Sequence, residues 1–202
     1  MHILKAMKKS YKTIVAITAI FLVIALIVTF AQSLKYGTES KILVVQNFSE
    51  DVDAYSASRL NEYLSGLLVR VISSESFFNQ ALDSGFNIDR SYFSGARNKQ
   101  IKQWEKTVNA RSTYDSGIIT LNVYHANPEQ AENISRAVIY TLKTTNNFYH
   151  SIPNVDIRTI DSPSTSRFPV KPNIILNILA GIIFGLVISV MYVYYLEQKK
   201  SN

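Results

Sequence analysis

The sequence predicts an α+β outer domain between two transmembrane α-helices, and three observations predict it. Long uncharged apolar runs stand near both ends of the 202 residues. Lysines flank both runs on the side facing away from the middle. The middle itself mixes short β-branched runs with stretches of helical apolar spacing.

Thr13–Ala31, TIVAITAIFLVIALIVTFA, is 19 residues without a charge. At about 1.5 Å per residue it reaches roughly 28 Å, close to the hydrocarbon thickness of a bilayer. Ile174–Tyr195, IILNILAGIIFGLVISVMYVYY, is 22 uncharged residues ending in tyrosines suited to the lipid–water interface. Both are apolar all round, unlike the one-sided helices of a soluble surface. A basic leader with Thr29 and Ala31 also fits a cleaved signal peptide, but the apolar run is longer than a signal core.

Of the net charge of +6, four lysines (Lys5, Lys8, Lys9, Lys12) precede Thr13 with no acid among them. Glu197, Lys199 and Lys200 follow the second run, and residues 32–173 are close to neutral. A nucleic-acid partner is thereby excluded, since its charge would lie on the folded domain. The positive-inside rule puts the tails, 1–12 and 196–202, in the cytoplasm and the middle outside. The expectation is a two-pass protein of the cell (inner) membrane. Without cysteine, disulfides, thiolate metal sites and a cysteine nucleophile are impossible.

The outer domain is expected over 32–160. Lys41–Gln46 reads as a strand. Val52, Tyr55, Leu60, Tyr63, Leu64, Leu67, Leu68, Val71 and Ile72 keep helical spacing and predict a helix over about Asp51–Ser73. A short helix follows over Glu75–Asp83, stopping near Gly85. Residues 86–96 read as a loop anchored by Phe86, Tyr92 and Phe93, and Arg97–Ala110 as a helix. Gly117–Tyr124 is the clearest strand, with Ile119, Leu121 and Val123 on one face. Asn127 caps the next helix, Pro128 fits its first position, and Gln130 completes a box-like cap. That helix runs to about Tyr149 with Ala131, Ile134, Val138 and Leu142 inward, and Val155–Ile160 is a last strand. The order β-α-α-α-β-α-β is that of an α+β domain. Residues 161–173, with Pro163, Pro169 and Pro172, read as a stiff extended linker into the second membrane run.

Two candidate surfaces emerge. Asn177, Gly181, Gly185 and Ser189 recur every four residues, and the GxxxG within them admits a close neighbour helix, either the first run or another subunit. Arg97, Lys99, Lys102 and Lys106 are either a basic face for an anionic polymer or lipid headgroup, or a solvated helix face. No catalytic constellation is present: no HExxH, GxSxG or phosphate loop GxxxxGK(S/T) occurs, and His2, His125 and His150 have no metal-ligand spacing. His125 near Glu129 reads as a surface residue. An outer-face hydrolase is disfavoured, and no cofactor or metal is expected.

Terminal membrane helices, the stretch YDSGIITLNVYHANPEQAENISRAVIYTL, the late strand VDIRTID and a proline-rich run entering a GxxxG helix resemble the polysaccharide co-polymerase family. These are the Wzz-type chain length determinants and their capsule and exopolysaccharide relatives. The likeness is strongest over Tyr114–Gly185 and rests on order and pattern over residues 13–72. Ser162 stands where the family usually shows Ala before its first proline. Residues 73–113 leave no room for the long helical projection of lipopolysaccharide-type members, and no fused kinase is expected. The resemblance implies a small, kinase-less, non-enzymatic homo-oligomer regulating chain length, polymerisation or export of a surface polysaccharide. Its partners would be a polymerase and the growing glycan. A two-pass adaptor or activator of a separate cytoplasmic tyrosine kinase is the alternative.

Overall fold

The computed structural model describes residues 10–47, 52–114 and 116–201. They form two compact units. Among the described residues, one comprises 10–34 and 171–201, and the other lies within Lys35–Val170.

In the first unit, helix α1 spans Tyr11–Phe30 and helix α6 spans Ile174–Ser201. Asn173, held just after Pro172, starts α6 by accepting the Leu176 amide on its side-chain oxygen at 3.1 Å. Both helices are long and apolar enough to cross a membrane, and only 11% and 17% of their spans are buried. A soluble core helix would be mostly buried. These helices leave apolar surface that lipid, not water, would solvate.

The second unit is a four-stranded antiparallel sheet in the order β2-β3-β1-β4, packed against helices. Strand β1 is Tyr36–Gln46, followed by helices α2 (Ala54–Ile72), α3 (Glu75–Leu82) and α4 (Arg97–Thr107). A 3-10 turn over Arg90–Phe93 precedes α4. Strands β2 (Val108–Ser112) and β3 (Ile118–His125) lead to α5 (Pro128–Thr145) and then to β4 (Val155–Thr165). Alternation along β3 puts Ile119, Leu121 and Val123 inward, fully buried beside Ile42 and Val44 of β1. Ala131, Ile134 and Val138 of α5 are equally buried. Each buried Leu or Ile contributes roughly 1.5–3 kcal/mol. The sheet and α5 also meet through paired hydroxyls: Ser40 and Ser135 lie 3.1 Å apart, both buried.

Trp104 anchors α4. It is wholly buried, and its indole N–H donates to the Ile72 carbonyl at 2.8 Å, one of the carbonyls the end of α2 leaves without a helical partner. Gly117 is required where it stands, because a Cβ there would lie 2.2 Å from the Val44 carbonyl oxygen.

Several sequence expectations shift. The helix expected to Ala110 ends at Thr107 and turns into β2, a strand absent from the expected order. β1 begins five residues earlier than expected, at Tyr36. The α2 start expected at Asp51 lies outside the described residues; Asp53 is the cap, accepting the amides of Tyr55 and Ser56. The helix expected to reach Tyr149 gives way to a 3-10 turn after Thr145.

The proline-rich linker is also shorter than expected. β4 continues through Thr165, and Ser164 and Thr165 pair with Glu39 and Thr38 of β1. Pro163 therefore lies inside an edge strand. It is tolerated there because an edge strand needs only one row of ladder bonds, and because the register between β1 and β4 is irregular around Lys41. Pro169 lies within the α+β unit, next to Val170, whose amide donates to the Lys35 carbonyl at 2.8 Å. Pro172 belongs to the helical unit and follows a cis peptide bond.

Candidate functional site

In the membrane-helix pair, the small-residue stripe of α6 faces α1. A Cβ on Gly181 would lie 2.7 Å from the Ala25 Cβ, and one on Gly185 would lie 2.9 Å from the Thr18 Cα. Both glycines let the backbones approach where any side chain would hold them apart. Ser189 is fully buried and donates to the Leu186 carbonyl of its own helix at 2.9 Å. Val193 packs with Ile14 one turn further on. At the opposite end, Asn177 donates to the Thr29 hydroxyl at 3.1 Å, and that hydroxyl donates to the Ala25 carbonyl at 2.6 Å. The first run is thus a partner of the stripe, through an antiparallel seam with a polar tie at one end.

The basic face on α4 divides. Arg97 ion-pairs with Glu75 of α3. Lys99, Lys102 and Lys106 stand at i, i+3 and i+7, one exposed stripe turned away from buried Trp104. Thus three of the four expected basic residues share a face, and the fourth joins two helices. The difference arises because two residues of helix separate Arg97 from Lys99 by about 200° of rotation.

Around the start of α5, Asn127 accepts the Glu129 amide at 2.8 Å and the Gln130 amide at 3.4 Å. Gln130 does not close a capping box. Its side chain accepts the Asp89 amide at 2.8 Å and donates to the Asn87 carbonyl at 3.1 Å, tying the loop before the 3-10 turn to α5. His125 is not the expected surface residue. It is 5% exposed, its ring lies 4.2 Å from that of Tyr92, and its Nδ1 accepts the Asn127 amide at 3.0 Å. Burial lowers its pKa, opposed by the Asn127 carbonyl 3.3 Å from Nδ1, which could accept from a protonated ring, so the neutral ring is favoured. Asp89 has its carboxyl held below the ordinary value by hydrogen bonds from the Ser91 hydroxyl and amide. Among the described residues no group of three or more His, Asp or Glu is placed to hold a metal ion.

Residues 1–85 match the Wzz family, the chain length determinant proteins. The match spans less than half of the chain and is a likeness to chain length determinant proteins over that part. It covers α1, β1, α2 and α3, the part where only order and pattern were expected to carry the likeness, and does not extend to Tyr114–Gly185, where the strongest likeness was expected. No curated protein matches the chain. The match and the two long apolar helices both point to a membrane protein.

Proposed function

We infer that the chain is a non-enzymatic membrane scaffold, assembled from several copies, that sets how long a surface polysaccharide grows before release. The observation that carries this reading is the Wzz match over residues 1–85. The lysine-flanked apolar runs support a two-pass topology with both termini cytoplasmic and the α+β unit outside. In this reading the α+β units of neighbouring copies hold the polymerase or its growing chain, and polymerisation stops when that hold is lost. Length control of this kind needs binding energy and geometry, not a nucleophile or a general base. The polymer concerned is a lipopolysaccharide, capsular or exopolysaccharide chain.

Deleting the gene and separating the surface polysaccharide by size tests the reading. The expected result is a broadened or displaced size distribution, restored by the intact gene. An unchanged amount and length in the deletion strain would refute it.

A further inference from the structure

A cleft of about 300 Å³ lies between α5 and β4 in the α+β unit. Arg136, Tyr140 and Lys143 line one wall at i, i+4 and i+7, a single stripe of α5. Thr159 and Ser162 of β4 bring hydroxyls to the other wall, where the irregular pairing with β1 redirects the strand. Tyr140 is 49% exposed, and its ring packs edge-on against Phe86 at 5.9 Å. That contact fixes the ring while leaving part of it open. The Arg136 guanidinium is held by Glu132 through Nε and Nη2, at 3.0 and 2.7 Å. Among the described residues the Lys143 ammonium has no ion-pair partner, and no carboxylate lines the cleft.

We propose that this cleft binds an acidic sugar residue of a polysaccharide, with Tyr140 as the stacking platform and Lys143 and Arg136 as partners of the carboxylate. A sugar ring has an apolar face of C–H groups and an equator of hydroxyls. A held aromatic ring meets the first, and Thr159 and Ser162 meet the second. Lys143 supplies the unpaired charge for the acid, and Arg136, whose Nε and Nη2 are taken by Glu132, adds a hydrogen bond from its remaining Nη1. The lysine stripe of α4 is a poorer candidate: its aromatic neighbour, Trp104, is wholly buried and offers no stacking surface. This proposal rests on the chain-length reading and gives it a glycan-contacting site.

The test uses the full chain in detergent or nanodiscs, titrated with a hyaluronan hexasaccharide and, separately, with neutral maltohexaose. The acidic sugar is expected to bind more tightly than the neutral one. Tyr140→Ala and Lys143→Gln should each weaken that binding about three- to tenfold, the scale of one ring or charge contact. Lys102→Gln on α4 should leave it unchanged. Lys143→Gln removes an exposed charge and no packing, so it separates loss of binding from loss of fold. Equal affinity for the two sugars, absence of binding, or binding unaffected by both cleft variants would overturn the proposal. In cells, a deletion strain fully restored by Tyr140→Ala would remove the cleft from length control while leaving the scaffold reading intact. A deletion with no phenotype would instead remove the scaffold reading.

Discussion

In the α+β unit Leu64, Leu68, Ile119, Leu121 and Ile134 are wholly buried, whereas in the helix pair Val15, Ile27, Phe30 and Ile175 are each more than half exposed. The same residue types are thus treated in opposite ways in one chain. The α+β unit is driven together by removing apolar surface from water. In the helix pair that force has little to act on, because lipid tails are as apolar as the side chains. Close backbone approach at Gly181 and Gly185 and a tie between Asn177 and Thr29 take its place. Changes should therefore be most damaging at large buried side chains in one unit and at the smallest residues in the other.

The largest expected effect is in the α+β unit. Trp104→Ala should cost about 3–5 kcal/mol through the cavity it leaves, and it also strands the Ile72 carbonyl. Hydrogen exchange on the full chain should show protection lost across α2, α4 and the sheet while α1 and α6 stay protected. Equal loss in both units would mean that they do not fold by separate forces.

Next comes Gly185→Leu. The chain lacks cysteine, so thiols placed at Ile14 and Val193, which pack together, report the helix seam without background. Oxidation in membranes should join them within one chain when glycine is present, and the leucine variant should lose most of that product. Undiminished product would mean that the glycines are incidental to pairing.

A smaller effect is expected at the polar tie. Asn177→Leu should destabilise the pair by about 0.6 kcal/mol, and by no more than about 1.7. The same thiol pair, followed against denaturing detergent, measures it; a loss well above that range would make the tie, not the glycines, the main determinant.

Acid should bear on the α+β unit through His125. The His125 pKa lies below its ordinary value of 6.5 because the ring is buried. Below about pH 6.5 the unfolded chain takes up a proton that the folded one refuses, so stability is present above that pH and falls with acidification. His125→Gln should flatten the dependence. A slope unchanged by that substitution would place the proton elsewhere.

Much of this division was legible in the sequence. The two apolar runs, the alternation in Ile118–Val123 and the Asn-Pro start of α5 each state their structure through a local rule, and each stands where the rule puts it. What escaped depends on partners distant in sequence. Thr38 and Ser40 look like loop residues, yet they are buried strand residues because Thr165 and Ser135 satisfy their hydroxyls. β2 is five residues of mixed polarity whose strand character comes from pairing with β3. Pro163 signals a break, and only the irregular edge pairing with β1 explains its place in β4. In the candidate surfaces the four-residue period of Asn177–Ser189 was visible, and helical spacing alone turns Arg97 away from the lysine stripe, while its pairing with Glu75 needed the neighbouring helix. The α5–β4 cleft was not visible at all, since its walls come from separate elements, with Phe86 far from both in sequence, that carry no shared motif.

The central claim, that length is set during synthesis by a scaffold rather than afterwards by cleavage, is tested most directly by pulse-chase labelling of the surface polysaccharide. Cells carrying the intact gene and cells lacking it receive a brief sugar label, and labelled polymer is sized through the chase. The scaffold account predicts that polymer appears at its final modal length from the first exported chains, that this length holds through the chase, and that deletion changes it from the outset. Polymer that first appears long and shortens during the chase only when the gene is present would contradict the account.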